Sequence, residues 1–518
     1  MSLFPQLKLY LNPWGNYEDF KHHAPAQRHD FIISRLENAS KRERLCDIVV
    51  AGTGFLTDAY CVSELNVKDT AVTDLIDILL ALAIATLGGA LVGQILFGIA
   101  ADIWGRRKMY GWELIILIFS TLGMSMASSG KDESMSMIGV LLSWRFFMGG
   151  GGLAPTRIRG RMLAVVFLCQ SLGEAATAVV ALIAVAGFRS SLPDDPKSLK
   201  CTGSCVHDLD KIWRYIVGLG AVPAFVAIWF QMTIIESPQY TADVMNNSLQ
   251  AAADVSQFYR STELPATSTR TRDDRIISPV VSRDSGSGAS ENDTKPHANM
   301  LKDFRMFLKQ NHNLRTLIAT SLCWFCLDLP FYGLGLMNAE IINTTCIVVV
   351  SSGAIVGSAI AVMTVDRIGR RILQLLGFAW LFVLNVIIGA AFWYLSEHGD
   401  ASALVVLYVL TQIFFDFAPA ELFPTRFRCT CHGISAASGK LGFILAQCFL
   451  GYVDFGNASS LSFFMLMGLI VTLWIPKTRD PNGKNKSLEQ IAAEMEFKGE
   501  FGRDIETNGL HRPGADDL

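Results

Sequence analysis

The chain is short of charge. Asp, Glu, Lys and Arg make up 18% of its 518 residues, against about 25% in ordinary soluble domains. Whole stretches have none. "ILLALAIATLGGALVGQILFGIAA" (78–101), "YIVGLGAVPAFVAIWFQMTII" (215–235), "IINTTCIVVVSSGAIVGSAIAVMTV" (341–365) and "ILQLLGFAWLFVLNVIIGAAFWYL" (372–395) are uncharged throughout. Each approaches or exceeds the span of about 20 residues that a helix needs to cross a bilayer. A soluble globular class is excluded, and a multi-pass membrane protein is expected.

Other absences narrow the function. The opening "MSLFPQLKLYLNPWGNYEDFKHH" has no basic region leading into an apolar one, so no secretory leader is expected and the first membrane helix does the targeting. The net charge of −3 is too small to imply a partner. The eleven cysteines are scattered and mostly lie in apolar runs, where Cys behaves as a small hydrophobe. Cys201 and Cys205 in "CTGSC" stand apart; an outer-loop disulfide and two free thiols are both open. Nothing points to an enzyme, a cofactor, a metal site or a nucleic-acid partner, and the oligomeric state is not legible.

What is present is a pattern of twelve hydrophobic segments. They lie near 47–62, 77–101, 109–129, 137–154, 162–187, 212–235, 316–337, 341–365, 372–395, 401–420, 433–453 and 459–476. Three are irregular: the first is short, the fourth holds Arg145 and ends in "GGGG", and the tenth holds Asp416, Pro419 and Glu421. Between the sixth and seventh, residues 237–315 are rich in Ser, Thr, Asp and Arg. That composition predicts a disordered linker. The division is therefore 1–43 as an N-terminal segment, 44–236 as one six-helix half, 316–476 as the other and 477–518 as a tail. Basic loops "GRRK", "RIRGR", "DRIGRR" and "TRFR" alternate with loops poor in Lys and Arg, which puts both termini and the linker in the cytoplasm. Asn343 and Asn457 head glycosylation sequons near the outer face.

The halves repeat. "GIAADIWGRR" (98–107) matches "VMTVDRIGRR" (362–371), and "PTRIRGR" (155–161) matches "PTRFRCT" (424–430), at offsets of 264 and 269 residues. Parallel repeats of this kind are the plan of major facilitator transporters, with the substrate at mid-membrane between the halves. The fold class expected is all-α, a major facilitator fold of two six-helix halves. In Asp102-x-x-Gly105-Arg106-Arg107 the glycine permits a tight turn, and the arginines can bond the acid and helix C-terminal carbonyls. Asp366, Gly369, Arg370 and Arg371 repeat the motif. Both copies are read as gating latches; plain topogenic charge is the alternative.

Substrate chemistry must come from polar groups inside the membrane. A charge at helix centre costs about 2.5–3.5 kcal/mol on insertion scales, so each one is a functional candidate. The candidates are Asp58, Glu113, Glu174, Asp328, Glu340, Asp416, Glu421, Arg145 and Lys440. Trp324, Asp328 and Tyr332 follow one another at four-residue spacing, which places indole N–H, carboxyl and phenol on one helical face. An interfacial aromatic belt would explain the two aromatics but not the acid. Lys440 in "ASGKLG" is the cation that could pair with a carboxylate or attract an anion.

"AGTGFLTDAY" (51–60), "GQILFGIAADIWGRRKMYGWELII" (93–116), "WFCLDLPFYGLGLMN" (324–338) and "PAELFPTRFRCTCHGISAASGKLG" (419–442) together resemble the fungal and plant proton-coupled inorganic phosphate transporters. The resemblance runs from about 44 to 495. It implies that Gln170, Trp324, Asp328 and Tyr332 bind phosphate. It implies that Asp58, Glu113, Asp328 and Lys440 serve proton coupling. The partners it implies are inorganic phosphate, protons and the bilayer, with the plasma membrane as location.

The chain also departs from that family. "WRFFMGGGGLAPTRIRGR" lacks the family's Gly-Gly-Asp-Tyr-Pro-Leu-Ser stretch, "FFDFAPAELFPTR" lacks its Phe-Gly-Pro-Asn-Thr-Thr-Thr, and Cys61 replaces an Asp in the first helix. Misjoined exons and a degenerate paralogue both fit this pattern. The function expected is proton-coupled phosphate uptake. The alternatives are a non-transporting sensor, and a porter for a glycerophosphodiester or sugar.

Overall fold

The computed structural model describes residues 27–28, 31–32, 56, 73–130, 134–151, 161–189, 204–232, 238, 240–245, 247–258, 300–341, 344–397, 401–417, 423–450 and 458–476. Every regular element among them is helical. The first half contributes α1 (Thr73–Trp104), α2 (Arg106–Ser125), α3 (Met137–Gly151), α4 (Arg161–Gly187), α5 (Ser204–Leu219) and α6 (Ala221–Met232). A π-helical turn (Tyr240–Val244), α7 (Ser248–Phe258) and α8 (Met300–Lys309) follow. The second half contributes α9 (Asn311–Ile341), α10 (Thr344–Ile368), α11 (Arg370–Glu397), α12 (Ala401–Phe415), a 3₁₀ turn (Thr425–Phe427), α13 (Arg428–Leu450) and α14 (Ala458–Thr472).

Two expectations change here. The sixth segment is two helices, α5 and α6, with Gly220 at the joint donating its N–H to the Val217 carbonyl. The expected linker is helical at both ends. In it, α7 buries Ala251, Ala252 and Val255 against Phe31 and Ile32, and α8 packs Phe304 and Phe307 on Phe427. Small and aromatic residues in those stretches have partners to cover, which the Ser-rich average of 237–315 hides. Residues 259–299, Asp58, Cys201, Asn343 and Asn457 lie outside the described residues.

The helices face lipid with apolar side chains. Leu96, Phe119, Ile183, Trp229, Val406 and Phe463 are all more than half exposed. In water such a surface would aggregate; in a bilayer it is the solvent-matched side. Among the described residues five spans are long and apolar enough to cross a membrane, including Leu80–Trp104 and Arg370–Ala391. Shorter apolar helices among the described residues include Met137–Gly150 in α3 and Ser402–Phe415 in α12.

With lipid outside, helices associate through close backbone contact rather than hydrophobic burial. Glycines supply it twice over. A Cβ on Gly89 or Gly93 of α1 would run into the carbonyls of Phe146 and Gly150 on α3. A Cβ on Gly353 or Gly357 of α10 would run into the carbonyls of Val409 and Ile413 on α12. The two pairs are offset by 264 residues, the offset of the Asp-x-x-Gly-Arg-Arg motifs. Each half thus seats one helix on its partner through an equivalent pair of glycines. Between halves, α1 crosses α13 and α4 crosses α10. Gly98 meets Cys429 and Gly433 at the first crossing. The Ser171 and Ser358 hydroxyls meet at 3.0 Å at the second.

Candidate functional site

At the α1–α2 turn, Gly105 has φ 98° and Gly369 at the α10–α11 turn has φ 86°. Only glycine takes such angles without strain, so each motif glycine is there for its backbone. The acid of the first motif does something the spacing did not predict. Asp102 Oδ2 accepts from the Thr430 N–H at 2.7 Å and the Thr430 hydroxyl at 2.9 Å, and Oδ1 accepts from the Cys429 N–H at 3.3 Å. A carboxylate of one half therefore caps the N-terminus of α13 in the other. Free N–H groups and the positive end of the helix dipole favour an anion there. Arg106, 2% exposed, adds its charge beside Asp102. Tyr240 donates to the Asp102 and Ile103 carbonyls, tying the C-terminal end of α1 from a third direction.

The second copy is used differently. Arg371 donates to the Leu473 carbonyl at 2.9 Å, just past the end of α14. This is the arginine-to-carbonyl contact expected of the motif, within one half rather than between two. Arg370 follows Gly369 at the start of α11. The side chains of Arg107 and Asp366 lie outside the described residues.

At mid-helix, α9 carries Trp324, Asp328 and Tyr332 against α13. Trp324 meets His432 edge to face at 6.1 Å. Asp328 accepts from the Lys440 ammonium at 3.1 Å. Tyr332 stacks on Phe443, their ring centroids 3.4 Å apart. Partners ascend together along both chains, so the helices run in the same direction. Gly439 lets them close: a Cβ there would come within 2.7 Å of the Asp328 carboxylate. Pro330, two residues past Asp328, has no N–H for the Cys326 carbonyl and interrupts the ladder of α9 beside the acid. The Lys440 and Asp328 side chains are only 12% and 9% exposed. Lys440 also stands 5.2 Å from the Tyr332 ring centroid, within the reach of a cation–π contact.

The other half answers from α4. Gln170 donates to Glu174, and Glu174 lies in the electrostatic reach of Lys440. Asp416, just past α12, sits against Ser358 and within reach of Glu174. Sequence reasoning ranked Glu174 and Asp416 only as intramembrane acids. The approach of Glu174 to Lys440 and to Asp416 spans hundreds of residues and has no local signal. Glu113 lies on α2, buried beside the core of Leu114 and Leu117, and Arg145 is buried on α3. Among the described residues no group of His, Cys, Asp and Glu could hold a metal ion.

Comparison with known proteins supplies the context. The chain is 33% identical to the repressible high-affinity phosphate permease of Neurospora crassa, covering 93% of each. It is 32% identical to the inorganic phosphate transporter PHO84 of Saccharomyces cerevisiae, over 93% of this chain and 89% of that one. The first alignment runs over 555 residues, more than this chain possesses, so it includes positions with no counterpart here. In fold the chain is similar to the major facilitator proton:xylose symporter XylE bound to 6-bromo-6-deoxy-D-glucose. That match has a TM-score of 0.63 at 17% identity and covers 87% of this chain and 98% of that one. The inward-open form of XylE from E. coli gives a TM-score of 0.53. The model of the sugar (and other) transporter family matches residues 48–495. This chain therefore belongs to the sugar (and other) transporter family and has the major facilitator fold.

Proposed function

We propose that the chain carries inorganic phosphate together with protons across the plasma membrane by alternating access, both termini being cytoplasmic. One observation carries the reading. In a chain similar to phosphate permeases over nearly its whole length, the Lys440 ammonium is held by Asp328 between two aromatic hydrogen-bond donors. While Asp328 is ionised it occupies Lys440 and repels an anion. A proton on Asp328 releases the ammonium, and the carboxylic acid can itself donate a hydrogen bond. The Trp324 indole N–H, the Tyr332 hydroxyl and the Gln170 amide are further donors. Phosphate and proton thus enter together.

The halves then rock. The Asp102 cap on α13 opens, with Gly105, Arg106 and Arg107 at its turn and Asp366, Gly369, Arg370 and Arg371 at the repeated one. On the cytoplasmic side the acid gives up its proton, takes back Lys440 and displaces phosphate. The test is uptake of labelled phosphate into cells stripped of their own phosphate carriers. Uptake should rise as external pH falls and be lost in Asp328→Asn. PH-dependent uptake at the original level in that variant would sink the mechanism.

A second reading has its own support. The aligned permease has positions this chain lacks. A phosphate-binding protein that does not transport would bind labelled phosphate in purified form and show no uptake in the same cells.

A further inference from the structure

The helix that leads into α9 has two faces, and only one has a partner so far. α8 turns Phe304, Phe307 and Leu308 onto Phe423 and Phe427. Its single acid, Asp303, holds Arg426 on the same side. At helical spacing Lys302, Arg305 and Lys309 fall on the opposite side, with Met306 among them. All four are exposed, Met306 by 51%. Among the described residues none of the three cations has an ion-pair partner. With the acid turned in and the cations turned out, the outer face of α8 carries charge of one sign.

Position says what that face meets. α8 ends at Lys309, and the span apolar enough to cross a membrane begins at His312. The helix therefore lies where the bilayer begins. The next turns of α9 expose Leu314 and Ile318, apolar side chains suited to lipid. Between them Arg315 sets its guanidinium over the Trp474 ring, 5.5 Å from the centroid. Tryptophan and arginine at the end of a span are anchors of the membrane interface. A short helix with a basic face and an exposed apolar side chain at that level matches the headgroup layer of an anionic leaflet. A soluble acidic partner would be matched by the cations alone. Met306 in their midst, and the lipid-exposed turns that follow, favour the bilayer.

We propose that the outer face of α8 docks on anionic phospholipid headgroups of the leaflet it adjoins. Lys302, Arg305 and Lys309 contact the phosphates, and Met306 enters the acyl boundary. The proposal takes from the reading above only that this end of the molecule is cytoplasmic, where the leaflet is anionic. Docking has a route inward. Phe304 and Phe307 pack on Phe427, the residue before α13 begins. The first N–H groups of α13 are those that Asp102 caps. A headgroup that holds α8 thus steadies the turn on which the latch closes.

The test uses the full chain in vesicles of phosphatidylcholine, alone or mixed with phosphatidylglycerol in both leaflets. A nitroxide is placed at position 306 through Met306→Cys, and its collision rate with a water-soluble nickel chelate is read. The signal from native cysteines, measured on the unaltered protein, is subtracted. The rate should be at least about threefold lower in the mixed vesicles. High salt should restore it, and so should Lys302→Gln/Arg305→Gln/Lys309→Gln. Equal rates in the two vesicles would overturn the proposal. If the label is then shielded in both and freed by removing residues 477–518, the face belongs to the chain's own tail. A difference that survives loss of all three cations would overturn it too. The assay contains no free phosphate and does not depend on which way the protein inserts, so these failures leave the transport reading standing. That reading falls separately, on labelled phosphate uptake.

Discussion

Asp328 and Lys440 form a pair that neither could replace alone. Both side chains are nearly covered, so removing one leaves the other uncompensated, at a cost of about 3–5 kcal/mol for a buried pair. Lys440→Met and Asp328→Asn should each lower the unfolding temperature in detergent. The double variant should lose clearly less than the two losses added together. Additive losses would show that the contact at 3.1 Å contributes nothing specific. A third variant isolates the geometry. Gly439→Ala keeps every charge but pushes a methyl to within 2.7 Å of the Asp328 carboxylate, the oxygen that holds Lys440, and should weaken phosphate binding and shift its pH dependence together. Much of this site was legible in the sequence: a carboxylate between two aromatics at four-residue spacing is a local pattern, and a helix turns it directly into one face. Its other wall was not. Glu174 comes within the electrostatic reach of Lys440 and Asp416 only through the fold, and no spacing along the chain encodes that meeting.

At the scale of elements, the paired glycines make a symmetric demand. Gly93 and Gly357 each press on a backbone carbonyl that cannot move aside. Gly93→Val and Gly357→Val should therefore both abolish recovery of monodisperse protein. Gly111→Ala, with nothing within 4 Å of its added carbon, should leave recovery unchanged. Full recovery of either valine variant would mean that α1–α3 and α10–α12 do not pack as described. The helices themselves were legible because a lipid-facing helix is apolar all round, and composition alone reveals it. The amphipathic helices outside the bilayer were not. Ala251, Ala252 and Val255 have no length of apolar chain around them to stand out, only Phe31 and Ile32 to pack on. The cap on α13 was equally hidden, since the partners of Asp102 are main-chain amides.

For the whole molecule, the described contacts between halves concentrate at two crossings, α1 with α13 and α4 with α10, which makes them separately testable. Ser171 and Ser358 touch at 3.0 Å, within reach of a disulfide if both become cysteine. Oxidation of the Ser171→Cys/Ser358→Cys protein should block transport, reductant should restore it, and neither single variant should respond. The latch has a natural reporter. Cys429 and Cys431 are fully buried beside Asp102. Asp102→Asn weakens charge-assisted hydrogen bonds of about 1.5–3 kcal/mol and should speed their alkylation about tenfold or more. An unchanged rate would mean that the latch holds without its acid. That junction has an evolutionary consequence as well. Two of the three bonds to Asp102 end on main-chain N–H groups, which are present whatever residue the gene encodes, proline excepted. A substitution at position 429 or 430 that fits the buried space therefore keeps those two bonds and gives up at most the one from the Thr430 hydroxyl. Replacing the carboxylate at position 102 weakens all three at once, so the two sides of the interface differ in how much change they tolerate.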